Sequence, residues 1–340
     1  MGQLLEISDF SVEYRTSAGR VRALEEINLS VQEEEFLALV GESGCGKTTL
    51  GLATIGLLPQ RSSTVAGGSI RYKGVDLTGL PSGEINQYRG SEIAMIFQEP
   101  LTSLNPLRRI GEQIGEAILL REKKKGRSNL RGAPRFPGRR WKLPPEMKRE
   151  VEQMLNLVRI PDPDHIMERY PFELSGGMRQ RAMIAMALAQ QPALLIADEP
   201  TTALDVTTQA QVLKLMKEIK DKLGTAIMLV THDLAVASQV ADRVIVMYAG
   251  QIVEDSEVHD IFSDPKHPYT QGLLACIPSG TRGGQSLTPI RGTIPDLTRR
   301  ISACRFQPRC PYAMEVCSAK EPRLAEVSKG HSVSCFLYGE

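Results

Sequence analysis

Residues 36–50, FLALVGESGCGKTTL, decide how this 340-residue chain is read. Phe36–Val40 is a short unbroken apolar run, the pattern of a strand buried on both faces. Gly41-Glu42-Ser43-Gly44-Cys45-Gly46-Lys47-Thr48 then fits GxxxxGK[ST], and from Lys47 the chain reads as helix. Strand, glycine-rich loop and helix in that order form a mononucleotide-binding unit. The glycines let successive backbone N–H groups close around phosphate oxygens. Lys47 would reach the β- and γ-phosphates, and the Thr48 hydroxyl would hold Mg²⁺. Cys45, beside a helix start, has two readings: a thiol of lowered pKa, or a small residue filling a tight loop.

Outward from this unit, residues 3–14 and 23–31 read as strands around a turn at Ala18-Gly19. Residues 94–97, 194–197, 226–230 and 244–248 are buried-strand candidates, and 209–223 is helical with charges on one face. The order is mostly β then α, so a largely parallel sheet in an α/β fold is expected. Leu194-Leu195-Ile196-Ala197-Asp198-Glu199 is an apolar strand ending in two acids. Asp198 there can hold the water shell of a metal, and Glu199 can polarise an attacking water.

Composition sets the bounds. The length suffices for one large domain with an appendage or for two medium ones. A net charge of +1 gives no global case for binding nucleic acid. The longest uncharged apolar stretch, between Arg181 and Asp198, is broken by Gln190, Gln191 and Pro192, short of the ~20 residues a membrane span needs. The start, MGQLLEISDF, carries an early acid and lacks a signal-peptide pattern, so a cytosolic-type chain is expected. Near-neutrality conceals an asymmetry. Residues 121–142 hold ten Lys and Arg against Glu122, a net of +9, while the rest has 31 basic against 39 acidic residues, a net of −8. Its glycines and prolines make this segment read as a loop inserted between helices, either solvated or touching anionic lipid.

Leu174-Ser175-Gly176-Gly177-Met178-Arg179-Gln180, 18 residues before the acidic pair, resembles the signature motif of ATP-binding cassette (ABC) ATPases. The resemblance implies a RecA-like core with an antiparallel β subdomain and a helical subdomain. It also implies that Ser175, Gly176, Gly177 and Gln180 face the ATP of a partner protomer. Tyr14 is placed like the aromatic that stacks on adenine, with Thr49 also at the nucleotide. Gln98 is placed like the glutamine that shares Mg²⁺ with Thr48. Ala203-Leu204-Asp205 is similar to the loop that meets the partner, and His232 to the switch histidine on the γ-phosphate. On their own Tyr14 and His232 read as structural, as His165, His259 and His331 do.

Four of the six cysteines, Cys304, Cys310, Cys317 and Cys335, fall in the last 40 residues. Four thiolates suit a tetrahedral zinc or an iron–sulfur cluster, and spacing does not choose. The alternative is four buried thiols. Together with FQEPLTSLNP (97–106), YPFELSGGMRQRAMIAMAL (170–188) and HPYTQGLL (267–274), the segment resembles the ATP-binding subunits of dipeptide/oligopeptide ABC importers. That resemblance implies a 4Fe–4S cluster on the four cysteines, with zinc as runner-up. It also implies ATP and Mg²⁺, a second ATPase subunit, two membrane-spanning permease subunits and an extracytoplasmic solute-binding protein. The chain would sit peripherally on the cytoplasmic face of the membrane. The expected boundaries are an ATPase domain at 1–255, with a helical subdomain at about 99–180, and an extension at 256–340. Importers of nickel or other solutes share these marks. Two other readings are a soluble ABC protein acting on ribosomes or DNA, and a metal-dependent sensor built on the cysteines.

Overall fold

The structure, a computed structural model, describes residues 2–99, 103–124, 126, 143–202, 204–277 and 289–339. It forms two compact units, Met1–Pro81 with Met228–Glu340, and Ser82–Ile227.

The first unit begins with β1 (Gln3–Thr16) and β2 (Gly19–Gln32), an antiparallel hairpin in which Tyr14 faces Val21. β3 (Phe36–Val40) follows, buried at all five residues, and leads through the glycine loop into α1 (Lys47–Thr54). β4 (Ser63–Tyr72) pairs with β1, and the two-residue β5 (Val75–Asp76) closes the small sheet in the order β2-β1-β4-β5.

The second unit opens with α2 (Ser82–Ile85) and β6 (Ile93–Ile96). The helices α3 (Ile110–Lys124), α4 (Pro145–Leu157), α5 (Pro163–Ile166) and α6 (Gly176–Leu188) come next. α4 buries Met147, Val151 and Leu155, one stripe at a four-residue spacing. β7 (Leu194–Asp198), wholly buried, pairs in parallel with β6. α7 (Val206–Leu223) is capped at its start by the Asp205 side chain and stopped by Gly224 at φ 65°.

The boundary between units falls within β8 (Ala226–Thr231). Back in the first unit come α8 (Leu234–Val240), β9 (Arg243–Tyr248), β10 (Gln251–Glu257), α9 (Val258–Ser263) and α10 (Pro268–Ala275). The chain ends with α11 (Glu315–Ala319), β11 (Ala325–Ser328) and β12 (His331–Val333). The large sheet of this unit runs β11-β12-β10-β9-β3-β8, so the C-terminal strands extend its edge. β3 and β9 are parallel, whereas β9-β10, β10-β12 and β11-β12 are antiparallel. The expected parallel core is therefore present, with an antiparallel margin built from residues that follow it. Arg243 pins this margin: it holds Asp255 through two bonds, at 2.7 and 2.6 Å, and also bonds Glu35 at 3.2 Å and the Ser30 carbonyl at 3.0 Å.

The basic segment departs from its reading at the near end. Arg121–Lys124 belong to α3 rather than to a loop. Arg121 is buried, donating to the Ala189 carbonyl at 3.0 Å and to Glu150. Lys124 donates to the Gln87 carbonyl at 2.9 Å and to Ser91 Oγ at 2.7 Å. These two charges are engaged inside their own unit. Residues 125 and 127–142, on which the lipid reading rests, lie outside the described residues, as does the expected linker near 280–284. Among the described residues no helix is long and apolar enough to cross a membrane.

Candidate functional site

The glycine loop is moulded by what surrounds it. A Cβ at Gly41 would lie 2.2 Å from the Met247 carbonyl oxygen and 2.8 Å from Cys45 Sγ. At Gly46, where φ is +108°, it would lie 2.6 Å from the Ala23 carbonyl oxygen. The Gly250 amide donates to the Cys45 carbonyl at 3.0 Å, fixing the loop from the β9-β10 turn. Only glycine fits such close backbone approaches. Lys47 is 5% exposed. Its Nζ donates to the carbonyls of Gly41 at 2.7 Å and Glu42 at 3.0 Å, with Cys45 Sγ at 3.6 Å. Ser43, Gly44 and Thr48 are exposed on the outer side of the loop. Cys45 is fully buried, and burial pushes its thiol up despite Lys47 nearby, so the packing reading of this cysteine stands. Tyr14 and Thr49 come together, their hydroxyls 3.4 Å apart. His232 is exposed immediately after β8.

Within the second unit, Asp198 is buried at the end of β7 and Glu199 follows at φ +44°, a left-handed conformation uncommon for a side chain of this size. Glu199 Oε2 accepts hydrogen bonds from Gln98 Nε2 at 3.0 Å and Thr202 Oγ1 at 2.9 Å. Two donors on one oxygen fix the direction of the carboxylate. Thr202 had no signal in the sequence beyond its closeness to the acidic pair.

The signature segment starts α6. Ser175 Oγ accepts from the Met178 amide at 3.3 Å and caps the helix, and Ser175 and Gly176 at its start are exposed. A Cβ at Gly177 would meet Thr208 Cγ2 at 2.7 Å, whereas at Gly176 the nearest atom is Leu204 Cδ2 at 3.8 Å. Gln180 is 1% exposed, and its Nε2 finds no hydrogen-bond partner among the described residues. Asp205 accepts from the Thr208 amide at 3.0 Å and from Thr208 Oγ1 at 2.7 Å, and these bonds hold its carboxyl below the usual range. Ala203 lies outside the described residues.

Magnesium takes hard oxygen ligands. The hydroxyl of Thr48 in the first unit, and the carboxylate of Asp198 and the amide oxygen of Gln98 in the second, are each donors of that kind.

The cysteine reading requires correction. Cys304, Cys310, Cys317 and Cys335 line one cavity, together with Phe306 and Met314. Yet among the described residues no group of three or more His, Cys, Asp or Glu is arranged to hold a metal ion. Burial pushes the Cys304 thiol up to about 11 and raises those of Cys310 and Cys335. Cys317 Sγ instead accepts the Met314 amide at 3.4 Å. Neither the 4Fe–4S cluster nor zinc is supported.

The sequence reading also passed over what holds Glu42. Its amide donates to the Tyr269 hydroxyl at 2.8 Å, and its carboxylate pairs with Arg309. Tyr269 lies in HPYTQGLL, a stretch singled out only for resemblance. Arg309 gave no signal.

Comparison with known proteins agrees with this geometry. Residues 24–202 match the ABC transporter family, and residues 253–317 match the oligopeptide/dipeptide transporter, C-terminal region. The chain is 45% identical over 338 residues to a probable peptide ABC transporter ATP-binding protein, y4tR, of Sinorhizobium fredii, spanning 99% of this chain and 96% of that protein. It is 46% identical over 337 residues to the dipeptide transport ATP-binding protein DppD of Bacillus subtilis, spanning 99% and 95%. Among solved structures, the dimeric bacterial ABC transporter cassette MJ0796 matches with a TM-score of 0.62 and 25% identity, over 75% of this chain and 99% of that one. A Clostridium perfringens cassette, cbiO1, matches with a TM-score of 0.61 and 26% identity, over 78% and 92%. A phosphate loop, an acidic strand end and a serine-capped signature helix, in a chain that aligns along nearly its whole length with ABC transporter ATP-binding proteins, lead to one conclusion: this chain is an ATPase of the ABC transporter family, among the ATP-binding proteins that carry the oligopeptide/dipeptide transporter C-terminal region.

Proposed function

We propose that this chain hydrolyses ATP to drive import of di- or oligopeptides through an ABC transporter, and that residues 1–255 form its ATPase domain and 256–340 an appended extension. The observation that carries the reading is the glycine loop, whose buried Lys47 is held on the loop's own carbonyls beneath exposed Ser43, Gly44 and Thr48. The peptide half is supported by the names of relatives alike along nearly the whole chain.

In the proposed reaction a water attacks the γ-phosphorus in line, the bond from phosphorus to the β,γ-bridging oxygen breaks, and ADP and phosphate are released. Glu199 takes the proton of the attacking water, and Gln98 and Thr202 aim its carboxylate. Lys47 and the loop amides of Ser43 through Thr48 bind the phosphates, with Thr49 beside them and Tyr14 against the adenine. His232 contacts the γ-phosphate. By the sequence pattern Thr48 and Gln98 would hold Mg²⁺, with Asp198 on its water shell, and the ion supplies positive charge to the phosphate oxygens. The helix start at Ser175, Gly176 and Gly177 would receive the γ-phosphate bound to a second ATPase subunit, identical or homologous, with Asp205 at the same junction. Permease subunits and an extracytoplasmic solute-binding protein complete the assembly, with this chain peripheral at the cytoplasmic face.

The test is Glu199→Gln in the assembled transporter. Binding of ATP should persist while phosphate release falls by roughly 10²- to 10⁴-fold. Near-normal hydrolysis would remove Glu199 from the mechanism.

A further inference from the structure

Glu42 occupies a variable position of the phosphate loop, and each of its polar groups is engaged. Its amide donates to the Tyr269 hydroxyl at 2.8 Å. Its carbonyl accepts from Lys47 Nζ at 3.0 Å. Its carboxylate receives both arms of the Arg309 guanidinium, at 2.7 and 2.9 Å. Tyr269 and Arg309 stand 227 and 267 residues further along the chain, in the C-terminal segment.

These two partners are fixed. The Arg309 side chain is 5% exposed, donates through Nε to the Arg291 carbonyl at 2.9 Å, and lies over the Tyr248 ring at 5.6 Å. Tyr269 is fully buried, 4.8 Å from Tyr248 and 5.5 Å from Phe306 between ring centroids. Its position at the start of α10 is set by His267, whose Nδ1 accepts the Tyr269 amide at 3.0 Å. A bidentate, part-buried guanidinium–carboxylate pair specifies geometry as well as charge.

The electrostatics give the clamp a purpose. A carboxylate on a loop that must receive a polyanion repels it unless its charge is cancelled and its direction held. Arg309 does both for Glu42, and Tyr269 sets the peptide plane of the same residue. We propose that Arg309 and Tyr269 are positioning residues for nucleotide binding, through which the C-terminal segment sets the affinity of the phosphate loop for ATP. The inference rests on the ATP-binding reading above.

Calorimetric titration of the full-length chain with ATP and Mg²⁺ tests it, with thermal unfolding as the control for folding. Arg309→Gln should weaken ATP binding about tenfold, and more at low salt than at high. Adding Glu42→Gln to that variant should restore most of the loss, because the repelling charge is gone; a purely structural role for Arg309 would show no such rescue. If Arg309→Gln does not fold, Arg309→Lys and Tyr269→Phe each keep most of the packing and should each lose about threefold. Affinity within error of wild type in the folded variants, or a double variant no better than Arg309→Gln, overturns the clamp. A wild-type chain that binds no ATP overturns instead the reading on which it stands.

Discussion

Replacing His267 with asparagine should remove a specific part of the protein's acid sensitivity. His267 is buried at the start of α10, and desolvation lowers its pKa from the ordinary 6.5 to about 3. Its ring nitrogen accepts the Tyr269 amide, a bond available only while that nitrogen carries no proton. The unfolded chain titrates near pH 6.5 and the folded chain near 3, so below pH 6.5 the unfolded form binds more protons. Stability from this group is therefore full above pH 6.5 and is lost as the pH falls toward 3. At pH 5 the loss is about 2 kcal/mol, and over the whole window it approaches about 5 kcal/mol. Asparagine retains a side-chain oxygen for the Tyr269 amide but does not titrate. The buried neighbours Glu254 and His331, 2.8 Å apart, and the Glu254 bond to the His267 amide at 3.0 Å are present in both proteins. Their contribution cancels in the comparison. Urea unfolding of both proteins at pH 7.5, 6 and 5 supplies the measurement. The variant is expected to be less stable at pH 7.5 through lost packing, yet to lose about 2 kcal/mol less than wild type on going to pH 5. Parallel curves would refute the reasoning.

Two further outcomes follow from glycine geometry. Gly41→Ala sets a Cβ 2.2 Å from a backbone oxygen, whereas Gly44→Ala meets nothing within 4 Å and carries only the strain of φ +80°. Urea midpoints should show losses of at least about 3 kcal/mol and about 1 kcal/mol respectively, and equal losses would contradict the packing. Gly177→Ala should damage the signature helix through its 2.7 Å clash with the Thr208 methyl, while Gly176→Ala should be sterically tolerated. Adding Thr208→Ser removes that methyl and keeps the hydroxyl on Asp205, so hydrolysis should recover; no recovery would sink the steric account.

What could be read in advance was local. Phe36–Val40 declared a buried strand because all five residues are apolar, and the loop and helix after it follow from glycine, lysine and spacing. The helix read at 209–223 begins three residues earlier because Asp205, valued only for a partner contact, also caps it. β4 escaped notice because Ser63–Tyr72 contains Gly67-Gly68 and is mostly exposed, so it shows no alternation; its place comes from pairing with β1. β11 and β12, of four and three residues, are too short for any period to declare them. The four cysteines line one cavity, yet their spacing says nothing of whether the side chains are arranged to hold a metal ion. Arg309 and Glu42, 267 residues apart, share no local pattern at all.

The bonds of Lys47 bear on turnover. An ammonium has three N–H bonds, and here the Gly41 and Glu42 carbonyls and the Cys45 sulfur lie within reach of them. On the proposed function, a phosphate oxygen would reach Lys47 in exchange for one of these acceptors, and the net gain would be smaller than the strength of the contact formed. The same exchange run backwards lowers the cost of departure, since the lysine has somewhere to return. On that proposal the loop's own carbonyls would stand in for the nucleotide, a property suited to an ATPase that must let go of its product in every cycle.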